Sequence, residues 1–112
     1  MSVKVSFHKQ FLKDAKRLQK KYRSLSNDLQ IFVSELKENP DMGIDLGLGV
    51  RKIRLAIASK GKGKSGGARV ITFRRMLDAD GTIRIVLLTM YDKNEIENVT
   101  DGFIQSLIMN VE

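Results

Sequence analysis

The sequence of 112 residues contains no cysteine and no tryptophan, and it has a single histidine and a single proline. Without cysteine the chain has no disulfide framework and no cysteine-ligated zinc site, and a reducing compartment is permitted. The single histidine, His8, excludes a histidine-rich metal site and a catalytic pair of histidines, and it is expected at the surface. We therefore expect neither a metal nor a cofactor.

Long hydrophobic runs are also missing. No apolar segment approaches the roughly 20 residues that cross a bilayer, and residues 1–10 lack the continuous apolar block of a signal peptide. With 42% hydrophobic residues, the composition is that of one globular domain over residues 1–112. We expect a cytoplasmic protein that does not contact a membrane.

Acidic residues are missing from residues 50–75, which carry nine lysines and arginines. Residues 1–23 are also basic, with eight lysines and arginines and one acid, whereas residues 24–49 and 76–112 are acidic and bring the net charge to +7. Cations without an anion among them repel one another, and nucleic-acid phosphates are the obvious counter-charge. A solubilising surface is the alternative interpretation of the same charge.

Apolar residues at helical spacing predict three helices. The first covers residues 7–22, and the second begins after Ser24 or Ser26 and ends before Pro40, because proline excludes helical geometry for the residue that precedes it. These two helices form an antiparallel hairpin. The third follows Thr100, whose hydroxyl can cap it.

The segment between the second and third helices predicts three antiparallel strands, joined by a Gly-rich basic loop and a DADG turn. These strands are residues 50–58, 68–75 and 82–91. A further edge strand is possible at Val3–Phe7, and residues 41–49 are interpreted as a Gly-rich connection. The order predicts an α+β domain with its helices on one face of a small antiparallel sheet.

The first long strand places Lys52 and Arg54 on the face opposite its apolar residues, beside Ala56 and Ala58. The two small side chains leave room between the cations. This face therefore predicts a groove for an extended polyanion, although basic residues on an open sheet face are also common without a ligand.

Three blocks of the sequence carry a family resemblance. They are DLGLGVRKIRLA at residues 45–56, GKGKSGGARVI at residues 61–71 and YDKNEIEN at residues 91–98. Over residues 43–107 the chain resembles the HigB-like (RelE-like) toxins of the RelE/ParE superfamily, which belong to type II toxin–antitoxin systems. The resemblance implies the RelE-like fold, in which an N-terminal helical hairpin packs on a small antiparallel β-sheet with a C-terminal helix, and RNA lies on a concave basic face.

The resemblance also implies an activity. RelE-like toxins are endoribonucleases, or mRNA interferases, that cleave mRNA in the ribosomal A site by attack of the ribose 2′-OH on the adjacent phosphate, and so inhibit translation. HigB-like members are neutralised by HigA-like antitoxins with a helix-turn-helix domain. Operator DNA is bound only through the toxin–antitoxin complex, and no cofactor is implied.

Matched to the family position by position, four residues are implied to be catalytic: Lys52 and Arg54 on the first long strand, Arg69 after the basic loop and Lys93 after the last strand. A second set is expected to bind RNA. Its members are Lys62, Lys64, Arg74, Arg75 and Tyr91.

The chain departs from the family at one position. The family's tyrosine near the C-terminus has its approximate counterpart at Val99, so Tyr91 is interpreted as a residue that stacks on a base. Which residues act as general acid and general base is therefore open. Lys52 is one candidate for the base.

Two alternatives come from other functional classes. A ParE-like toxin of the same fold would inhibit DNA gyrase by binding and would cleave nothing. A non-catalytic module would bind nucleic acid without arresting growth. The blocks at residues 61–67 and 93–95 favour the nuclease over the gyrase inhibitor, and the small number of aromatic residues disfavours a stacking platform.

Overall fold

The structure is a computed structural model and describes residues 2–61, 63, 66–75 and 78–111. Within those ranges the chain forms five strands, three helices and one 3-10 turn. In chain order they are β1 (Val3–Phe7), α1 (Lys9–Lys21), α2 (Leu25–Glu38), β2 (Ile44–Gly47), β3 (Val50–Leu55), the 3-10 turn (Ala58–Lys60), β4 (Ala68–Arg74), β5 (Ile83–Asp92) and α3 (Asp101–Met109). The α+β class is confirmed.

The strands form one mixed sheet in the order β1–β5–β4–β3–β2. Strands β2 to β5 pair with antiparallel neighbours, but β1 runs parallel to β5. The edge strand expected at Val3–Phe7 is confirmed, whereas a wholly antiparallel sheet is wrong. A parallel pair needs a long crossover, and here most of the chain lies between the two strands.

A second difference concerns residues 41–49, for which the sequence predicts only a connection between elements. They contain β2, which pairs with β3 through a tight turn at Leu48 and Gly49. Both turn residues have positive φ, at 54° and 85°, as a two-residue hairpin turn of type I′ requires. Because leucine takes the place where asparagine or glycine is usual, the ordinary sequence signal of a hairpin is weak here.

The helices lie on both faces of the sheet. On the first face, the residues that α1 and α2 bury are Phe11, Leu18, Leu25, Phe32 and Leu36. On the opposite face, α3 packs its Ile104 and Leu107 against the sheet residues Val50, Ile71, Val86, Leu88 and Tyr91. The expectation that all helices share one face is wrong, because β4 and β5 carry continuous apolar runs that need cover on both sides.

The first helix begins two residues later than expected because His8 caps it. Ring Nδ1 accepts a hydrogen bond from the backbone N–H of Gln10 at 3.0 Å, and Nε2 lies 3.1 Å from the carbonyl oxygen of Leu107. A neutral ring with its proton on Nε2 makes both bonds. His8 is thus a half-buried link between α1 and the end of α3, rather than the expected surface residue.

Gly67 marks the closest approach of two segments at the start of β4. A Cβ at this position would lie 2.0 Å from the carbonyl oxygen of Leu55, at the end of β3. Such a separation is far inside van der Waals contact. A side chain at residue 67 would therefore force the backbones at the end of β3 and the start of β4 to move apart.

We expect Gly67→Ala to destabilise the protein by about 1–3 kcal/mol, the usual effect of overpacking. Gly102→Ala is the matched control, since a Cβ on Gly102 in α3 meets nothing within 4 Å and alanine is favoured over glycine in helices by about 1 kcal/mol. Urea denaturation measures both variants. A Gly67→Ala midpoint equal to that of the wild type would contradict the close approach.

Candidate functional site

Three adjacent strands place Arg54, Arg69 and Tyr91 in one row across the sheet. Arg54 of β3 lies directly opposite Arg69 of β4, and Arg69 lies directly opposite Tyr91 of β5. Directly opposed residues of antiparallel strands share a face, with Cβ atoms roughly 4.5–5.5 Å apart. Because Tyr91 belongs to the core beneath α3, the row lies on the α3 side of the sheet.

The other two residues implied to be catalytic lie on either side of this row along the strands. Lys52 stands two positions before Arg54 on β3, on the same face and about 7 Å along the strand. Lys93 follows the last residue of β5, two positions after Tyr91. The structure therefore brings together the four residues that the family motifs predict, and we call Lys52, Arg54, Arg69 and Lys93 the basic cluster.

The electrostatics of the row favour an anion. Like charges directly opposite each other on a sheet are unfavourable, and Arg54 and Arg69 form such a pair. Arg69 is only 8% exposed and donates a hydrogen bond from Nη1 to the carbonyl oxygen of Ala68 at 3.1 Å. Arg54 is exposed, and its side chain makes no hydrogen bond or ion pair with any residue that the structure describes. A phosphate between the two guanidinium groups would relieve their repulsion.

Tyr91 is buried, with 3% of its surface exposed, and its hydroxyl donates to Oδ1 of Asn98 at 3.2 Å. Burial raises the pKa of this phenol, and the nearby Arg69 guanidinium opposes the rise only in part. The Tyr91 hydroxyl therefore stays protonated at neutral pH, and the buried side chain forms one end of the row. Stacking on a base would require it to leave this position. Val99, at the position of the family's tyrosine, packs against the same core.

The remaining residues expected to bind RNA do not join the basic cluster. Arg74 lies on the opposite face near the far end of β4, where it binds Asp41 at 2.7 Å and the carbonyl oxygen of Pro40 at 2.9 Å. Arg75 follows β4, about 20 Å along the chain from Arg69. Lys62 and Lys64 lie outside the described residues.

Acids from other segments neutralise part of the charge of residues 50–75. The pairs are Arg51–Asp45 at 3.8 Å, Lys60–Asp92 at 2.9 Å and Arg74–Asp41 at 2.7 Å. A count of charges within residues 50–75 alone therefore overstates the positive charge that the folded chain leaves unbalanced there. The side chain of Arg54, by contrast, pairs with none of the residues that the structure describes.

A buried ionic cluster, missed at the level of sequence, lies beside these residues on the α1 side. Asp92 is fully buried and accepts hydrogen bonds from the Tyr22 hydroxyl, from Nζ of Lys60 at 2.9 Å and from the backbone N–H of Asn94 at 2.9 Å. Lys21 approaches the same carboxylate at 3.6 Å. The available signal was slight: Asp92 is an acid that directly follows the apolar run of β5.

The contacts of Asp92 lower its pKa. Burial by itself raises the pKa of the carboxyl, but the hydrogen bonds from Tyr22, Lys60 and Asn94 together with the positive charge of Lys60 outweigh that effect and hold it at about 2. The unfolded chain, with an ordinary aspartate, binds the proton more readily. The contribution of Asp92 to stability is therefore fully present above about pH 4 and is lost as the pH falls toward 2.

We expect Asp92→Asn to destabilise the protein at pH 6 and to remove this pH dependence, which corresponds to about 2 kcal/mol between pH 5 and pH 2. Urea denaturation of the wild type and the variant across that range measures the effect. The difference between their free energies of unfolding should narrow as the pH falls. Two stability curves that stay parallel would show that Asp92 is not held ionised by this cluster.

Within the described ranges, no helix is long and apolar enough to cross a membrane, and no group of three or more His, Asp or Glu side chains could hold a metal ion. Comparison with protein families gives a match over most of the chain. The family described as "RelE toxin of RelE / RelB toxin-antitoxin system" matches residues 4–107. This range runs from β1 to α3 and includes the helical hairpin as well as the basic cluster. The chain therefore belongs to the RelE toxin family and is the toxin of a toxin–antitoxin system, with an antitoxin as its partner.

Proposed function

We propose that this protein is a HigB-like, ribosome-dependent mRNA endonuclease that inhibits translation. RelE-family toxins are generally ribonucleases. The observation that carries the proposal is the Arg54–Arg69 row, with Lys52 before it on β3 and Lys93 beyond it after β5. Cleavage proceeds by attack of the ribose 2′-OH on the adjacent phosphate and leaves a 2′,3′-cyclic phosphate and a 5′-OH.

The substrate brings its own nucleophile, so the protein must bind the phosphate, stabilise negative charge and move protons. Arginine suits the first two tasks because its planar guanidinium donates paired hydrogen bonds to phosphate oxygens. Arg69 is almost buried and held by Ala68, so its charge is fixed in place before the substrate binds. Arg54, which is exposed, can approach the same phosphate from the neighbouring strand.

Proton transfer falls to the lysines of the basic cluster. The row itself consists of two arginines and a tyrosine, and the Tyr91 hydroxyl is engaged by Asn98. The nearest buried carboxylate, Asp92, faces α1 and is bound by Tyr22 and Lys60. We assign the role of general base, which takes the proton of the 2′-OH, to Lys52, which is half-buried beside the row. We assign the role of general acid, which protonates the departing 5′ oxygen, to Lys93.

The proposal extends to the partners. The antitoxin is of the HigA-like helix-turn-helix type, and the toxin–antitoxin complex, rather than the toxin alone, binds operator DNA. Since the substrate is mRNA in the ribosomal A site, the protein acts in the cytoplasm. Arg74, Arg75 and the lysines at positions 62 and 64 would contact ribosome or mRNA outside the reacting phosphate.

We expect Arg69→Ala to reduce mRNA cleavage by about 10²–10³-fold, the effect of losing one donor to developing negative charge. Arg84→Ala is the matched control, since Arg84 is an exposed arginine of β5 paired with Asp78 at 2.9 Å, outside the basic cluster. Purified ribosomes programmed with a defined mRNA, followed by mapping of 5′ ends, measure both variants.

The same assay separates the alternatives. Full cleavage by Arg69→Ala, with the protein shown to be folded, would refute the assigned site. Intact mRNA with the wild type, together with inhibition of DNA supercoiling by gyrase, would identify a ParE-like inhibitor. Salt-dependent RNA binding with neither effect would identify a non-catalytic module.

We expect Lys52→Arg to keep mRNA binding but to lower the single-turnover cleavage rate by about 10²-fold or more, since arginine keeps the charge yet does not give up its proton. Cleavage rate and ribosome affinity are measured separately for this variant. An unchanged rate would move the general base to another residue, with Lys93→Arg as the comparison.

A further inference from the structure

We propose that Asp92 is a positioning residue, which holds Lys93 and the start of the basic loop at residues 61–67 in the arrangement needed for cleavage. This inference rests on the proposed function and deepens it. Asp92 does not belong to the basic cluster, because its side chain faces α1, on the other side of the sheet. It acts through its neighbour.

Both the side chain and the backbone carbonyl of Asp92 bind residues of the turn that carries Lys93. The Asp92 carboxylate accepts the backbone N–H of Asn94 at 2.9 Å. Its backbone carbonyl accepts the N–H of Glu95 at 2.9 Å and of Ile96 at 3.2 Å. Lys93 lies between these bonds, so its backbone direction depends on where the Asp92 side chain is held.

The Asp92 side chain is itself held by two other elements. The Tyr22 hydroxyl, just after α1, and Lys60 Nζ, at the end of the 3-10 turn, each bind one carboxylate oxygen. Only 6% of the Lys60 side chain is exposed. The ammonium groups of Lys21 and Lys60 lie 5.3 and 5.2 Å from the centre of the Tyr22 ring, which adds cation–π attraction to the same cluster.

Lys60 also fixes the point where the basic loop begins. The 3-10 turn is anchored to α2, because the N–H of Ala58 donates to Asp28 at 3.1 Å and the N–H of Ser59 donates to Ser24 at 2.9 Å. At its other end, the loop reaches β4 through Gly67 and its close approach to β3. One carboxylate thus connects the beginning of the loop with the turn that carries Lys93.

A buried ion pair is by itself weak evidence of a gain in stability, because apolar residues of the same volume often stabilise a protein as well or better. Under this proposal, the contribution of the Lys60–Asp92 pair is a defined geometry. A second tie fixes the same turn to α1, since Arg17 binds both carboxylate oxygens of Glu95 at 3.0 and 2.9 Å. Ion pairs at both Asp92 and Glu95, on either side of Lys93, are understandable if the position of Lys93 matters.

The test is a mutant cycle in the ribosome assay with Asp92→Asn, Lys93→Ala and the double variant. We expect Asp92→Asn to lower the maximal cleavage rate by about 10–100-fold, as a small misplacement of a reacting group does, with ribosome affinity unchanged. In the Lys93→Ala background the same change should have an effect of less than about twofold.

Tyr22→Phe is a less disruptive variant, which replaces Asp92→Asn in the test if Asp92→Asn folds poorly. It keeps the ring between the two ammonium groups and removes only the hydroxyl bond to Asp92, so we expect a smaller loss that also disappears in the Lys93→Ala background. The matched control is Asp14→Asn. Asp14 ties α1 to β5 through Thr89 at 2.5 Å and the N–H of Met90 at 3.2 Å, away from Lys93. Its effect should be the same in both backgrounds.

Two outcomes would overturn the proposal. One is an Asp92→Asn effect of equal size with and without Lys93, which would show a general structural role. The other is an unchanged ¹H–¹⁵N NMR spectrum and unchanged amide exchange at residues 93–96 in folded Asp92→Asn. Because the NMR measurement needs no substrate, it decides the positioning role even if the wild type proves not to cleave mRNA, an outcome that would refute only the proposed function.

Discussion

The burial of β4 and β5 on both faces is the constraint on which the arrangement of the molecule depends. Every residue from Ala68 to Thr72 is buried, and so are nearly all residues of β5. One layer of helices therefore does not suffice, and α3 must return across the sheet to cover the face that α1 and α2 leave open. Because α3 is short, it covers Tyr91 but leaves Arg54 exposed at the end of the same face. The basic cluster lies where the second layer ends.

The same constraint divides the cations into two groups. Residues that alternate toward the α1–α2 face, or that lie at the ends of strands, meet acids of neighbouring segments. Arg74 with Asp41 and Lys60 with Asp92 are examples, and these pairs hold loops in place. Arg54 alternates toward the α3 face, and its side chain pairs with none of the residues that the structure describes. Strand alternation therefore separates the exposed Arg54 from Arg74, which is held by Asp41 on the other face.

Much of the fold could be predicted from the sequence, because the helices and the long strands carry strong apolar patterns. Lys52 and Arg54 could be placed on one face by alternation alone, and the family motifs connected them with Arg69. The membership of these residues in an active site stays a prediction. Their opposition across β3 and β4 is a structural finding, since alternation places residues on a face but does not give the pairing register of two strands.

Other features could not be predicted, for identifiable physical reasons. The turn at Leu48 lacks the usual hairpin residues, so β2 has little signature. A strand that is apolar throughout does not indicate which helix covers which face, so α3 was placed on the wrong side. Lys60 and Asp92 are 32 residues apart and meet only through the tertiary fold.

The composition of the basic cluster bears on why such an enzyme would act on ribosome-bound mRNA. Under the proposed function, the arginines of the basic cluster would stabilise the charge that develops on the phosphate. They do little to align the 2′-OH with the departing oxygen, and Arg54, on an open surface, imposes no single path on a flexible RNA strand. Holding the reacting groups in line is worth several kcal/mol of the barrier. Under the proposed function the ribosome supplies that alignment, since it already holds the mRNA in an extended, ordered path. The protein then needs only a shallow, preorganised cationic face, which is what the end of this sheet provides.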